Sequence, residues 1–212
     1  MGERVWLYNA VGLYDARRAN GSAAQFIALP AEQAVKLPAL LDFAAGACLG
    51  VPAQTAHRAV FADGPVEGQT ILVAGGAGAV AHYAIQFARL GGARVIATVS
   101  SPEKAAHAAS AGAEATIDRK REDVVARVME LTEGAGVERI VEVDFGANVA
   151  LDVEMIKANG TIASYSSTAV PEPVFPYYKL AIKGANLRLI QGYNLPAAAR
   201  RAAISDITRY GG

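Results

Sequence analysis

Cysteine and histidine are scarce in this sequence of 212 residues, which contains one cysteine and three histidines. A single cysteine excludes a disulfide within the chain and a zinc cluster built on cysteines. The histidines His57, His82 and His107 are scattered, and this spacing predicts no metal ligand set. We expect Cys48 to be a small buried residue of a helix.

An excess of charge of either sign is also absent, since 20 Lys and Arg residues balance 20 Asp and Glu residues. A net charge of zero argues against a general attraction to nucleic acid or to a membrane surface. No apolar run approaches the ~20 residues of a membrane span, and the N-terminus lacks the apolar core of a signal peptide. We expect a cytoplasmic protein without a membrane partner, and nucleic acid is disfavoured as a ligand.

Short β-rich runs alternate with helix-like stretches from residue 70 onward. The expected strands are 70–75, 93–99, 114–118, 138–143, 160–165 and 187–193. Their hydrophobicity is continuous rather than alternating, which predicts strands buried on both faces and therefore a parallel sheet. With helices between the strands, the pattern predicts an α/β fold with a doubly wound parallel sheet.

Residues 1–43 have a different pattern. "RVWLYNA" and "AAQFIALP" are predicted to be strands, with a polar loop, "DARRANGS", between them. A helix is predicted over 43–61. Two or three strands cannot close a sheet or a barrel alone, so we interpret residues 1–43 as the end of another domain.

The stretch "ILVAGGAGAVA" (71–81) contains a glycine turn between a strand and a helix. Gly76 allows the tight turn, and Gly78 lets the backbone approach a phosphate without an intervening Cβ. Ala81 occupies the third position, where a small residue is needed for packing of the helix on the strand. This pattern favours a dinucleotide-binding Rossmann unit; the alternative is a glycine turn in an α/β protein that binds no nucleotide.

The end of the second strand indicates which dinucleotide is bound. NAD sites place Asp or Glu there to accept a hydrogen bond from the ribose 2′-hydroxyl, but this chain has "VSSPEK" (99–104). Two cations and a hydroxyl donor, Ser100, Lys104 and Arg119, suit a 2′-phosphate, which a carboxylate would repel. They favour NADP(H). The alternative is that Ser101 is a helix N-cap and that Lys104 and Arg119 are solvated surface residues.

Several motifs together resemble one known group. "ERVWLYNA", "GACLGVPAQTAHRAVF", the glycine-turn segment 71–101 and "EVDFGAN" resemble the zinc-free quinone oxidoreductases of the medium-chain dehydrogenase/reductase superfamily, the ζ-crystallin-like branch. Members are NADPH:quinone reductases, usually homo-oligomers, with a GroES-like catalytic domain formed by both chain ends. The resemblance implies a GroES-like remnant over 1–43 and an NADP-binding Rossmann domain over 44–212.

The resemblance also implies cofactor-binding residues. Besides Gly76, the phosphate contacts would come from Ala77, Gly78, Ala79 and Val80. The 2′-phosphate would be bound by Ser100, Lys104 and Arg119, although many members have an aromatic residue or His at the position of Arg119. The residues near the nicotinamide would be Thr55, Asn148, Tyr165, Ser166, Ser167, Thr168, Gln191, Gly192 and Tyr193.

Family members are longer than this chain. We therefore expect the chain to be truncated at both ends relative to the family, either as a shortened protein or as a natural fragment. The implied function is reduction of a quinone or enone by hydride transfer from NADPH without a metal. The alternatives are an isolated NADPH-binding module without turnover and an RNA-binding relative, which the neutral charge disfavours.

No residue is assigned as catalytic from the sequence. Quinones and enones are electrophilic, so hydride transfer needs positioning and a proton source rather than a Lewis acid. Tyr165 and Tyr193 are candidate hydroxyl donors, or they only pack against the cofactor. Glu142 either takes part in catalysis or binds backbone groups. An apolar strand at 187–193 would leave a sheet edge open to a second subunit, which predicts a homodimer.

Overall fold

A computed structural model describes residues 2–10 and 22–210 of the chain. The described residues belong to two compact units, one within residues 56–190 and the other within 1–55 and 191–212. The domain boundary predicted between residues 43 and 44 stays a prediction. Most of the polar loop predicted at 15–22 lies outside the described residues.

The N-terminal region contains a two-stranded antiparallel sheet of β1 (Val5–Leu7) and β2 (Ala34–Lys36), followed by helix α1 (Phe43–Phe61). The strand predicted over residues 4–10 is confirmed in its centre, at Val5–Leu7, and the helix predicted over 43–61 is confirmed. The strand predicted at 23–30 is wrong, because those residues are described and form no strand. Phe26 is 90% exposed, so this apolar side chain is not packed on a sheet formed by the described residues.

Six parallel strands form the sheet of residues 56–190. They are β3 (Thr70–Val73), β4 (Arg94–Val99), β5 (Ala115–Asp118), β6 (Val137–Glu142), β7 (Ile156–Ser164) and β8 (Asn186–Leu189). Their order in the sheet is β5-β4-β3-β6-β7-β8, with every neighbouring pair parallel. From β3 to β5 the strands are added toward one edge of the sheet, and from β6 to β8 toward the other edge. The strand order therefore reverses between β3 and β6, which is where α/β folds bind ligands. The doubly wound parallel sheet predicted from the sequence is confirmed.

Helices connect these strands and cover the sheet. They are α2 (Ala79–Leu90), α3 (Pro102–Ser110), α4 (Val124–Leu131), α5 (Phe145–Met155) and α6 (Tyr177–Lys183), with α7 (Ala197–Tyr210) after the last strand. Asp123 caps α4 by accepting a hydrogen bond from the Ala126 amide at 3.0 Å. Gly184 ends α6 in the left-handed conformation, at φ +58°, which glycine adopts without strain.

The core of this unit follows the central strands. Ile71, Ile96, Ile117, Ile140 and Ile162 are all fully buried. This burial explains their continuous hydrophobicity, because helices cover the sheet on both faces and neither side of a strand meets water. Fully burying an isoleucine side chain contributes about 1.5–3 kcal/mol, so the sheet centre dominates the stability of the unit.

A cluster of one acidic and two basic side chains joins the end of α1 to the sheet. Arg139 of β6, which is 4% exposed, donates to the Asp63 carboxylate at 2.9 Å and to the Ala59 carbonyl at 3.0 Å. Arg188 of β8 donates to the same carboxylate. Asp63 follows α1, so its carboxylate ties the end of that helix to two strands of the sheet.

The structure also bears on membrane crossing and on the position of Cys48. Among the described residues, no helix combines the length and the apolar character needed to cross a membrane. The cytoplasmic location stays a prediction. The expected burial of Cys48 is wrong, because its side chain is exposed on α1.

Candidate cofactor-binding site

The glycine turn joins the end of β3 to the start of α2. The Gly75 amide donates to the Thr98 hydroxyl at 3.0 Å, and the Gly76 amide donates to the Thr98 carbonyl at 2.8 Å. Gly75 has φ +66°, in the region that favours glycine. A Cβ on Gly76 would lie 2.8 Å from the Ala97 Cβ, so only glycine fits between this turn and β4 without movement of the backbone.

Helix α2 begins with its amides available to a ligand. Gly78 is the N-cap, and no side chain among the described residues accepts a hydrogen bond from this end of the helix. Gly78 and Ala79 are exposed, and Ala77 and Val80 are half-buried. Unsatisfied first-turn amides and the helix dipole attract an anion. The predicted phosphate-binding residues therefore lie together at one helix N-terminus.

The residues predicted to bind a 2′-phosphate also lie together. The Lys104 ammonium donates to the Ser100 hydroxyl at 3.0 Å, and the Arg119 amide donates to the Val99 carbonyl at 3.0 Å. Ser100, Lys104 and Arg119 thus meet where β4 and β5 end. Ser101 caps α3 by accepting from the Lys104 amide at 3.4 Å, so the N-cap alternative describes Ser101 correctly and still leaves the Lys104 side chain directed at Ser100.

Sequence reasoning missed a carboxylate at this position. Strand register pairs Asp118 of β5 with Val99 of β4, so an acidic residue does stand beside the end of the second strand of the unit. Its carboxylate accepts from the Lys120 amide at 3.0 Å and lies 3.7 Å from the Arg121 guanidinium. Both neighbours offset its negative charge, which reduces its repulsion of a phosphate.

Asn148 lies in the first turn of α5, beside the end of β6. Its side-chain amide donates to the Glu142 carboxylate at 2.9 Å, and the Asp144 backbone amide donates to the same oxygen. Glu142 is 1% exposed. Burial raises the pKa of Glu142, although these two hydrogen bonds favour its ionised form. This bond fixes the orientation of the Asn148 amide, which leaves its carbonyl oxygen available as an acceptor.

The predicted nicotinamide loop, residues 165–168, follows β7. Ser167 accepts from the Gly146 amide at 2.9 Å and donates to the Val170 carbonyl at 2.6 Å, so its hydroxyl is used to hold the loop. The Ser166 and Thr168 hydroxyls are 2.9 Å apart. The Phe145 amide donates to the Ser166 carbonyl at 3.0 Å, which places this loop beside Asn148 at the same edge of the sheet.

Tyr165 is half-buried beside the buried acid at the end of β6. Burial and the neighbouring Glu142 carboxylate both raise the pKa of the Tyr165 phenol. A phenol with a raised pKa keeps its proton at neutral pH. Tyr165 is therefore a hydrogen-bond donor at this edge, and the raised pKa disfavours complete transfer of its proton to a product oxyanion.

The remaining predicted residues belong to the other compact unit. Thr55 is buried in α1, and a Cβ on Gly192 would lie 2.3 Å from its hydroxyl, so these two residues are in close contact. The Tyr193 carbonyl accepts from the Asn9 side chain at 3.0 Å. Gln191 is exposed. The cofactor roles of Thr55, Gln191, Gly192 and Tyr193 stay predictions.

The histidines of α2 and α3 form a contact that the sequence did not reveal. The rings of His82 and His107 stack with centroids 4.2 Å apart. Burial, and the charge of His107, lower the pKa of His82. The stack joins the helix that follows the glycine turn to the next helix.

Comparison with known proteins assigns the family. Residues 79–208 match the family model described as "Zinc-binding dehydrogenase". The match begins at the first residue of α2 and covers more than half of the chain. The chain belongs to the zinc-binding dehydrogenase family.

Several curated relatives of this chain are named quinone oxidoreductases. The quinone oxidoreductase of Rattus norvegicus is 28% identical over 162 residues, which are 76% of this chain and 47% of that protein. The chain thus spans about half the length of this curated relative. The predicted resemblance to quinone oxidoreductases is confirmed at the level of the family, and so is the assignment to an oxidoreductase family.

Solved structures of zinc-binding dehydrogenase relatives share the fold. A quinone oxidoreductase of Pseudomonas syringae pv. Tomato DC3000 has a TM-score of 0.75 and 30% identity, over 86% of this chain and 58% of that one. A mycobacterial protein solved in complex with NADPH has a TM-score of 0.73 and 26% identity, over 87% of this chain and 60% of that one.

The zinc named in the family description has no matching ligand set in the described part of the chain. Within residues 2–10 and 22–210, no group of three or more His, Cys, Asp or Glu side chains is arranged to hold a metal ion. The residues that the structure describes therefore do not fit a zinc ion.

Proposed function

We propose that this chain binds NADP(H) and is mainly the cofactor-binding part of a reductase that transfers hydride to a quinone or enone without a metal. The observation that carries the proposal is the glycine turn before α2, which ends in an uncapped helix N-terminus. The close packing of Gly76 against Ala97 supports the proposal, because a side chain at position 76 would disrupt the turn. A relative solved with NADPH supports the choice of ligand.

The pyrophosphate would bind at the start of α2. The backbone amides of Ala79, Val80 and Ala81 would donate to its oxygens, and Gly78 would allow close approach because it has no Cβ. The 2′-phosphate would lie at the ends of β4 and β5, near Ser100, Lys104 and Arg119. Two cationic side chains would then offset a charge of about −2.

The nicotinamide would lie toward β6 and β7, beside Asn148 and the loop that starts at Tyr165. When bound, NADPH supplies the hydride that reduces the substrate. The Asn148 side-chain amide is oriented by its donation to Glu142, so its carbonyl oxygen would accept a hydrogen bond from the cofactor, and the Tyr165 hydroxyl would donate one. A quinone or enone is electrophilic enough to accept hydride when it is held in position.

Binding of the two reduced cofactors tests this proposal. The double variant Lys104→Ala/Arg119→Ala should lose NADPH affinity by at least about tenfold, since each charge-assisted hydrogen bond contributes about 1.5–3 kcal/mol, with little change for NADH. Cofactor fluorescence measures both affinities. The matched control Arg127→Ala/Lys179→Ala removes two cations on α4 and α6, so it should change neither affinity. A wild-type preference for NADH, or equal losses for both cofactors, would refute the 2′-phosphate assignment.

A second candidate is an NADPH-binding module without turnover. The observation that favours it is the raised pKa of Tyr165, which disfavours proton transfer from this residue to a reduced product. NADPH oxidation in the presence of a simple quinone, followed by the absorbance of NADPH, separates the two candidates. Tight NADPH binding with no turnover would establish the module.

We further propose a homodimer formed along β8. This strand lies at the edge of the sheet, as expected for residues 187–193. Leu189 is 73% exposed, and Ile182 of the adjoining α6 is 85% exposed. An unprotected apolar edge favours pairing with the same edge of a second copy. Sedimentation of the wild type should show a dimer that Leu189→Lys converts to a monomer; a monomeric wild type would refute the proposal.

A further inference from the structure

Thr98 is the one polar side chain between Val95 and Val99 of strand β4. It is 7% exposed, and a buried hydroxyl costs free energy unless it makes a hydrogen bond. Strand β4 extends beyond its neighbour β3, because Val73 and Ala97 are the last residues that the two strands have in register. Thr98 therefore lies beside the glycine turn rather than beside β3.

Thr98 holds the turn through two of its oxygen atoms. Its hydroxyl accepts a hydrogen bond from the Gly75 amide at 3.0 Å, and its carbonyl accepts from the Gly76 amide at 2.8 Å. Gly75 has φ +66°, so the turn has a conformation that few other residues adopt. The bond from Gly76 uses backbone atoms only. The bond from Gly75 requires a side chain with an acceptor oxygen at position 98.

A series of hydrogen bonds continues from Gly75 to the start of helix α2. The Gly75 carbonyl accepts from the Gly78 amide at 2.8 Å, and the Gly78 carbonyl accepts from the His82 amide at 2.8 Å. Gly78 is the N-cap of the helix. The peptide that the Thr98 hydroxyl holds is thus bonded directly to the residue that begins α2, and the direction of the first-turn amides determines where an anion binds.

We propose that Thr98 is a positioning residue for the cofactor pyrophosphate, because its hydroxyl orients Gly75 and, through Gly75, the amides at the start of α2. This inference rests on the proposed function, which places a dinucleotide at the turn. The Thr98 side chain is buried and accepts from Gly75, so it acts through the turn rather than by contact with the cofactor. Because NADPH and NADH share the pyrophosphate, both should depend on Thr98 equally.

Two substitutions separate the hydroxyl of Thr98 from its packing. Thr98→Val keeps the shape of the side chain and removes the acceptor, whereas Thr98→Ser keeps the hydroxyl and removes a methyl group. By cofactor fluorescence, Thr98→Val should bind NADPH and NADH each about three- to tenfold more weakly, the factor that corresponds to one neutral hydrogen bond. Thr98→Ser should stay within about twofold of the wild type.

Thr161→Val is the matched control. Thr161 is 5% exposed on β7, and its register with Arg139, and through Arg139 with Ile71, places it before the end of β3 at which the turn begins. The same substitution at this position should change neither affinity. The double variant of Lys104 and Arg119 described above should weaken NADPH alone, so the two patterns of loss distinguish the pyrophosphate from the 2′-phosphate.

Two results with these variants would overturn the proposal. One is a Thr98→Val protein that binds both cofactors as tightly as the wild type does. The other is a loss in Thr98→Ser as large as that in Thr98→Val, because the packing of the side chain, and not its hydroxyl, would then support binding.

Hydrogen exchange of the Gly75 amide tests the contact without a cofactor. NMR of the wild type should show this amide protected, and in Thr98→Val it should exchange at least about fivefold faster, while the Gly76 amide stays protected by the Thr98 carbonyl. An unprotected Gly75 amide in the wild type would refute the inference, whether or not the variant folds.

Failure of the inference is distinguishable from failure of the proposed function. A wild type that binds neither cofactor, with Gly75 protected, would refute the proposed function and the role of Thr98 together. Wild-type binding that Thr98→Val leaves intact would refute the role of Thr98 alone.

Discussion

Removal of the Asp63 carboxylate should destabilise the protein strongly. The Arg139 side chain is 5% exposed and its guanidinium has two partners among the described residues, the Asp63 carboxylate at 2.9 Å and the Ala59 carbonyl at 3.0 Å. Its Nε atom has none. In Asp63→Ala, one neutral carbonyl would be left to solvate a buried positive charge.

The expected cost follows from the burial of the two partners. Breaking a buried ion pair by removing one partner costs about 3–5 kcal/mol. Asp63 retains 24% exposure, so water screens part of the interaction and the lower end applies. About 3 kcal/mol corresponds to a fall in Tm of about 6–12 °C for a chain of this size.

Calorimetry or chemical denaturation measures this change. The matched control is Glu130→Ala, which removes a carboxylate that is 69% exposed from its pair with Arg127. An exposed pair contributes about 0–1 kcal/mol, so the control should barely move the Tm. The double variant Asp63→Ala/Arg139→Met should recover much of the loss, because no unpaired charge then remains in the interior.

A loss below about 1 kcal/mol for Asp63→Ala would refute the reasoning, since it would show that water reaches Arg139 as easily as it reaches an exposed arginine. A double variant that is no more stable than Asp63→Ala would also contradict it. In that case the Asp63 side chain would act through packing or through Arg188 rather than through the buried charge.

The same carboxylate predicts a pH dependence. Burial alone would raise the pKa of Asp63, but the hydrogen bonds and charges of Arg188 and Arg139 outweigh burial and lower it below its ordinary value of 3.8. A lowered folded-state pKa means that the stabilisation is fully present above the ordinary value and is lost as the pH falls through the lowered one. The stability difference between wild type and Asp63→Ala should therefore be constant from about pH 5 to 8 and shrink below about pH 4.

Two smaller changes test local geometry. Gly76→Ala should cost about 1–3 kcal/mol in denaturant unfolding, because the added Cβ would meet Ala97 at 2.8 Å and Ala108 at 3.2 Å; an unchanged midpoint would contradict the packing. Asp123→Ala should cost about 0.5–2 kcal/mol, because it removes the bond from the Ala126 amide at the start of α4. Asp123→Asn, which keeps an acceptor, should be close to wild type, and a loss as large as that of Asp123→Ala would contradict the capping role.

The sheet was predictable from local sequence because its strands are buried on both faces. Residues 93–99 are apolar except for Arg94 and Thr98, and the structure has β4 there to within one residue at each end. The expected strand at 23–30 failed for the opposite reason. Its apolar residues have no neighbouring strand among the described residues, and Phe26 remains exposed.

The candidate site was only partly predictable. The glycine turn and the group of Ser100, Lys104 and Arg119 are local features at strand ends, so their meeting follows once the strands are parallel neighbours. The carboxylate of Asp118 beside Val99 depends on the register between β4 and β5. No spacing in the sequence specifies that register.

The sequence by itself thus determined the elements of the sheet, the turn at 75–78 and the family, because each depends on residues close together in the chain. The tertiary structure alone decided that Asp63 meets Arg139 and Arg188, 76 and 125 residues away. Those partnerships arise only when the strands are paired and the helices pack on the sheet. Burial then decides the energy of each charge, and burial is a property of the folded chain rather than of any local pattern.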